Sequence, residues 1–233
     1  MKFDIITIFS EFIDEYAKIG IIARAVSKAH MSIKAHQLRD FALDAHKSVD
    51  DRPYGGGAGM VLKPDVMQRA IKKVAGRATK KQRIVILSPQ GKVFSQAHAA
   101  RLAKYERIIF ISGRYEGFDE RILAMADEQL SIGDYVLMGG ELPALVAIET
   151  IARFIPGVVG KFESTVDESF AVSKSGKQTL EYPQYTRPEV LKVGKKNARV
   201  PKVLLSGDHA KIETWRGEKA LARTQKQRPD LLA

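Results

Sequence analysis

Ile108-Ile109-Phe110-Ile111 runs straight into Ser112-Gly113-Arg114-Tyr115-Glu116-Gly117-Phe118-Asp119-Glu120-Arg121. Consecutive large apolar residues without polar alternation mark a strand covered on both faces, as in a parallel sheet. The glycine-bearing turn after it then lies at the carboxyl end of a core strand, where ligands gather in open α/β sheets. The arrangement recurs twice. Arg83 to Ser88 reads as a strand built on Ile84-Val85-Ile86-Leu87, followed by the turn Pro89-Gln90-Gly91. Glu128 to Ile132 reads as a short strand feeding Gly133-Asp134-Tyr135-Val136-Leu137-Met138-Gly139-Gly140-Glu141. One such turn is an ordinary strand-to-helix connection. Three together would gather bare backbone N–H and C=O groups around a flat, partly polar ligand such as an adenine nucleoside. The Ile132–Gly140 turn carries no Lys or Arg, which argues against a triphosphate.

Working outward, Phe3 to Phe9 reads as a first strand, with Ser10 placed to cap a helix whose apolar face is Phe12, Ile13, Tyr16 and Ile19. Ile21 to Ala29 suits a helix and Ser32 to Leu38 a strand, while Asp40 to Gly59 is loop-like. Pro64 fits the first turn of a helix that turns Val66, Met67, Ala70, Ile71 and Val74 inward. Ser95 to Ala103 and Pro143 to Phe154 read as further helices. Strands alternating with helices predict an α/β fold with a mainly parallel sheet over residues 1–160. Residues 161–180 are rich in Ser, Lys, Glu and Gly without apolar periodicity and read as a flexible linker. Residues 181–233 read as a small helical domain. Thr186-Arg187-Pro188-Glu189 has the form of a capping box, and a longer helix from Asp208 would pack Ile212, Trp215 and Leu221 inward.

The 233 residues contain no cysteine, so disulfides and thiolate metal sites are excluded. The five histidines lack ligand spacing, so no metal site is assigned. A divalent cation is compatible with the composition, but no pattern marks one. No apolar stretch approaches membrane-spanning length, and Met1-Lys2-Phe3-Asp4 does not open a signal peptide, which predicts a soluble, cytoplasmic protein. The formal charge is +11. Two basic runs stand out: Lys72, Lys73, Arg77, Lys80, Lys81 and Arg83, and the acid-free stretch Val190 to Gly207 with Lys192, Lys195, Lys196, Arg199 and Lys202. Either alone is ordinary solvated surface; together they point to a polyanionic partner. Against that background Glu116 at a strand end is anomalous unless it meets hydrogen-bond donors, and the Watson–Crick edge of guanine supplies N1–H and an amine. Gly55 to Gly59 lacks the Lys-Ser/Thr of a phosphate-binding loop and reads as a flexible loop that could close over a ligand.

Taken in order, Tyr54-Gly55-Gly56-Gly57-Ala58-Gly59-Met60, Leu87-Ser88-Pro89-Gln90-Gly91, Gly113-Arg114-Tyr115-Glu116-Gly117, Ser131-Ile132-Gly133-Asp134-Tyr135-Val136-Leu137, Gly139-Gly140-Glu141-Leu142-Pro143, Arg153-Phe154-Ile155-Pro156-Gly157, Tyr185-Thr186-Arg187-Pro188 and Leu204-Leu205-Ser206-Gly207 closely resemble the bacterial tRNA (guanine-N1)-methyltransferases of the SPOUT class. The resemblance covers nearly the whole chain. It implies a parallel-sheet SPOUT fold with a deep trefoil knot, and a homodimer with the active site at the subunit interface. It implies S-adenosylmethionine as methyl donor, held by Leu87, Pro89, Gly113, Ile132, Gly133, Asp134, Tyr135, Val136, Leu137, Gly139 and Gly140. The acceptor would be N1 of the guanosine 3′ of the anticodon (position 37) in tRNAs with a preceding G, the anticodon stem-loop being held partly by the C-terminal domain. Arg153 and Glu116 match residues the family's chemistry needs. The family's general base is an aspartate directly before Ser-Phe. Here Glu168 precedes Ser169-Phe170 and Asp167 lies one residue further back, so Glu168 is the preferred base and Asp167 the alternative. The stretch from Ser173 to Leu180 is also longer and more polar than the family's. A non-catalytic RNA-binding module is the rival reading; a nucleotide hydrolase or dehydrogenase is disfavoured by the missing phosphate fingerprints.

Overall fold

The computed structural model describes residues 1–160, 168–170 and 178–232, and divides into two compact units, Met1–Gly160 and Lys161–Ala233. The first unit runs β1 (Lys2–Thr7), α1 (Ser10–Tyr16), α2 (Gly20–Ser27), β2 (Ser32–Gln37), β3 (Asp50–Asp51), β4 (Val61–Leu62), α3 (Pro64–Ala75), β5 (Gln82–Val93), α4 (Gln96–Leu102), β6 (Arg107–Ser112), α5 (Glu120–Leu123), β7 (Glu128–Ser131) and α6 (Glu141–Ala152). Five strands form one sheet in the order β2-β1-β6-β5-β7, with every neighbouring pair parallel. The short β3 and β4 pair antiparallel beside it.

Side-chain alternation along the strands divides the core in two. Phe3 and Ile5 of β1, Val85 and Leu87 of β5, and Ile108 and Phe110 of β6 join α1, α2, α4 and α6 on one face. Phe3 and Phe110 lie nearly parallel there, ring centroids 6.5 Å apart. Ile6, Ile86, Ile109 and Ile111 meet α3 on the other. All five α3 residues expected to point inward are buried. Each larger one contributes about 1.5–3 kcal/mol by leaving water, which fixes α3 against the sheet.

Several expectations are corrected. Ser10 is the first residue of α1 and caps nothing; Phe9 is the N-cap, and its N–H is met by the Thr7 hydroxyl at 3.0 Å. Of the proposed α1 face only Ile13 is fully buried, with Phe12 and Ile19 exposed. Pro89-Gln90-Gly91 lies inside β5: Leu130 pairs with both Leu87 and Lys92, so residues 88–91 bulge out and pairing resumes beyond them. Helix α6 begins at Glu141, two residues before Pro143, because proline needs no N–H partner within a first turn. The 40–59 stretch starts within a 3₁₀ turn, Leu38–Phe41, and contains β3.

The second unit is not all helical. The proposed capping box starts no helix; it leads into an antiparallel hairpin of β8 (Val190–Val193) and β9 (Lys196–Arg199). Gly194, at φ 61°, takes the left-handed conformation that a two-residue hairpin turn demands. Helix α7 (His209–Gln227) is capped by Asp208, whose side chain accepts from the Lys211 N–H at 3.1 Å. Trp215 meets Tyr185 with ring centroids 6.4 Å apart, whereas Leu221 is 45% exposed and does not pack inward as expected. Most of the 161–180 stretch lies outside the described residues.

Candidate functional site

The carboxyl ends of β5, β6 and β7 surround a cavity of about 320 Å³. It is lined by Leu87 to Gln90, Gly113 to Phe118, Ser131 to Gly133, Tyr135 to Gly140, and also Glu120, Leu123, Leu130 and Pro143. Its size sits at the lower end of the roughly 300–1,000 Å³ usual for ligand pockets.

Three local structures build it. The Gly140 N–H donates to Gly113 O at 2.8 Å, pinning the start of α6 against the end of β6. A Cβ at Gly140 would lie 2.7 Å from Ser112 Cα, so only glycine permits the approach. Directly after it, the carboxylate of Glu141 is buried and accepts from the Thr7 hydroxyl at 2.6 Å and from Arg114 Nε at 2.9 Å. Arg114 also donates to Met138 O at 3.2 Å, and its guanidinium lies 4.4 Å from the centroid of the Phe9 ring. The arginine is therefore committed to holding the Met138–Glu141 turn. The third structure is at Ser131, whose hydroxyl donates to Gly133 O at 3.0 Å while accepting from the Gly133 N–H at 3.2 Å. Tyr135 closes the same turn by donating its hydroxyl to Ile132 O at 3.1 Å.

Glu116 is fixed by its backbone. Its N–H donates to Met60 O at 2.9 Å, and Leu62 N–H to Gly117 O at 3.1 Å, so the end of the glycine-rich loop is tied to the Glu116 turn. A Cβ at Gly59 would sit 2.5 Å from Glu116 Oε1. Tyr115 holds φ at 59°, a left-handed conformation costly for a residue with a side chain. Ser112 Oγ is buried with no hydrogen-bond partner among the described residues.

Ten of the eleven residues expected around a nucleoside line this one cavity, with Glu116; Asp134 does not. Arg153 does not either. It is the C-cap of α6, roughly 20 Å along the helix from Gly140 at 1.5 Å per residue. Glu168 belongs to the second unit, where the neighbouring Ser169 hydroxyl accepts from Glu181 N–H at 3.0 Å and Phe170 N–H donates to Thr179 O at 2.9 Å. Asp167 lies outside the described residues. The residue most clearly missed is Arg114. Its sequence signal, an arginine beside the first glycine of the turn with Glu141 one turn later, needed the fold to connect them. Among the described residues no three His, Asp or Glu side chains are grouped to hold a metal ion, and no helix is long and apolar enough to cross a membrane.

A family profile described as tRNA (Guanine-1)-methyltransferase TrmD matches residues 1–233. Among curated relatives, a protein of Halorhodospira halophila named tRNA (guanine-N(1)-)-methyltransferase is 47% identical over all of this chain and 85% of its own length. Proteins of the same name from Syntrophomonas wolfei and Shouchella clausii are 48% and 46% identical, again over all of this chain and over 90% and 91% of theirs. With the match spanning every element that builds the cavity, the chain belongs to the tRNA (guanine-1)-methyltransferase TrmD family.

Proposed function

We propose that the protein transfers a methyl group from S-adenosylmethionine to N1 of guanosine 37 of tRNA, the nucleotide 3′ of the anticodon, where another guanosine precedes it. The observation that carries this reading is the composition of the cavity at the carboxyl ends of β5, β6 and β7. Among the described residues its charged lining is Arg114, Glu116 and Glu120. Arg114 is already held by Glu141, so the described lining offers two carboxylates and no uncommitted cation. That suits a ligand with sulfonium and ammonium charges and no phosphate. Leu87, Leu130, Ile132 and Leu137 supply apolar walls for a purine, and the exposed backbone of the Gly113, Gly133 and Gly139-Gly140 turns supplies its hydrogen bonds.

When bound, S-adenosylmethionine supplies an electrophilic methyl group on a cationic sulfur. The chain must do the rest. Guanine N1 carries a proton, which Glu168 accepts as general base, with Asp167 as the alternative. As N1 gives up that proton, negative charge spreads to O6, where the Arg153 guanidinium balances it. Glu116 holds the guanine edge by accepting from its N–H groups. Fixing acceptor and donor in line contributes the remaining acceleration through proximity.

Arg153 stands far from the cavity of its own chain, which supports a homodimer whose sites are completed across the interface. Phe12 on α1 and Leu142 and Val146 on α6 are large apolar residues left 43%, 53% and 43% exposed, as such an interface requires. Family membership supports the knotted SPOUT fold for residues 1–160, a linking role for 161–180 and tRNA binding by 181–233, in the cytoplasm where tRNA resides. The test is incubation of a tRNA pool with the protein and isotopically labelled donor, followed by mass mapping. Label at N1 of guanosine 37 in tRNAs with a preceding guanosine is expected; tRNA binding without label at that nitrogen would leave an RNA-binding protein and overturn the proposal.

A further inference from the structure

At the amino ends of the strands, opposite the methyl-donor cavity, lie two adjoining hollows of about 660 and 430 Å³ that share Lys2 and Arg107. Lys34 and Lys73 line the first, Arg77 and Lys81 the second. The strand register explains the gathering. Lys2 pairs with Arg107, and Asp4 with Lys34, so β1, β2 and β6 deliver their first residues to one edge. Helix α3 then brings Lys73 across from its last turn.

The acids at this edge are already engaged. Asp4 is buried, and its two oxygens accept separately from His36 Nε2 at 2.5 Å and Arg107 Nε at 2.7 Å. Burial alone would raise the Asp4 carboxyl, but these hydrogen bonds outweigh it and hold the group ionised below its usual range. Glu106 is paired with Lys81. Among the described residues no ion pair engages Lys2, Lys34, Lys73 or Arg77. Four cations thus face one continuous groove without a counter-charge. They are spread along it, not converged on a point, and they are mostly lysines, which meet phosphates as point charges without demanding a fixed geometry. That is the layout for tracking a phosphodiester backbone.

We propose that this groove binds RNA phosphates of the tRNA substrate at a distance from the nucleotide being methylated, an inference that rests on the tRNA methylation reading above. The separation is built in: the six residues of β6 alone hold the two ends of the sheet roughly 16 Å apart. The proposal places the contact on the tRNA beyond the anticodon stem-loop.

The test compares full-length tRNA with its isolated anticodon stem-loop in fluorescence-anisotropy titrations across salt concentration. The proteins are the wild type, the triple variant Lys34→Ala/Lys73→Ala/Arg77→Ala, and the charge-keeping Lys34→Arg/Lys73→Arg/Arg77→Lys. For full-length tRNA the triple alanine variant should flatten the slope of log K against log[salt] by about 2 to 3 and weaken binding about tenfold or more. Stem-loop affinity should stay within about twofold, and the charge-keeping variant should match the wild type. An unchanged slope with full-length tRNA, or an equal loss with both RNAs, would overturn the proposal. So would displacement of tRNA by millimolar inorganic phosphate at constant ionic strength, which would assign the groove to a small phosphorylated ligand. Methyl incorporation into full-length tRNA by the wild type is measured in parallel. If it fails while the groove variant still loses affinity, the catalytic reading has failed and the groove has not.

Discussion

A single methyl group at position 140 should disable the proposed donor cavity while leaving the sheet intact. Gly140 sits at φ −86° and ψ −3°, a conformation open to any residue, so backbone strain plays no part in Gly140→Ala. The effect is contact alone. The added Cβ would lie 2.7 Å from Ser112 Cα and 2.8 Å from Gly113 N, about 0.7 Å short of ordinary packing distance. Neither neighbour can yield easily. Ser112 ends a buried central strand, and Gly113 O accepts the Gly140 N–H at 2.8 Å. Overpacking of this kind costs about 1–3 kcal/mol. The softest response is for the turn before α6 to back away from β6, carrying Leu137 and Gly139 out of the cavity wall. The cost then emerges as donor affinity, roughly a 5- to 150-fold rise in Kd. Isothermal titration with S-adenosylmethionine measures it, with a thermal melt beside it to show how much of the strain reaches global stability. A Kd within twofold of the wild type together with an unchanged Tm would show that the α6 start does not abut β6 as described, and the account of the cavity would fall with it.

Gly217→Ala, inside α7 with open space around its Cα, should instead stabilise the C-terminal unit by about 0.5–1 kcal/mol in urea titration, because alanine has less backbone freedom to lose. Glu141→Ala should cost about 3–5 kcal/mol, since it strips Arg114 and Thr7 of a buried shared acceptor; a loss below 1 kcal/mol would mean that water replaces the carboxylate. Asp4→Asn tests the other end of the sheet. Because the folded carboxyl is held below its usual 3.8, its stabilisation is complete above that pH and fades as pH falls through the lower folded value, so the gap between wild type and variant should be constant near neutrality and close only in acid. Subunit mixing tests the interface: Arg153→Ala and Glu116→Ala, each inactive alone, should together recover roughly a quarter of wild-type methyl transfer if each site draws Arg153 from the partner. No recovery would return Arg153 to its own chain's site or to a structural role at the end of α6.

What the sequence disclosed and what it withheld follow from the range of the interactions involved. Ile108 to Ile111 declared a doubly covered strand because burial on both faces removes polar residues locally. The α3 stripe declared itself because the 3.6-residue period is written into consecutive positions. The cavity lining was legible for a related reason, since close backbone approach demands glycine, and glycine is visible in a string. Failures occurred where a local signal lost to a partner far along the chain. Pro89-Gln90-Gly91 has the chemistry of a turn, yet β7, some forty residues later, draws Lys92 and Val93 back into the sheet. Thr186 to Glu189 has the form of a helix start, but Val190 to Val193 finds β9 across Gly194 and forms a hairpin first. Arg114 was invisible as a structural clamp because Glu141 and Thr7 lie 27 and 134 residues from their respective partners in that network. Arg153 could be matched to a role by resemblance, but its distance from the cavity of its own chain appears only once α6 has a length and a direction.

If the proposed donor cavity and RNA groove are right, the two ends of the sheet also explain how a chain with a formal charge of +11 can attract RNA without filling that cavity with phosphate. Unscreened cations at the amino ends of β1, β2 and β6 act over about 10 Å at 0.1 M salt. The donor cavity lies beyond that range, and its own arginine is neutralised by a carboxylate that is 1% exposed. A phosphate entering it would meet Glu116 and Glu120 with no free cation among the described residues to offset them. A sulfonium would meet the same pair favourably. On the proposed reading, separating the charges along the strand direction does two jobs at once: it holds the polyanion where it can be gripped and keeps the cavity selective for a cation. Reversing it should be informative. Glu120→Lys, at the cavity wall, is expected to weaken donor binding about tenfold or more while tightening non-specific RNA binding at low salt. A variant that binds the donor as the wild type does would show that charge selects nothing there, and that shape alone governs what enters.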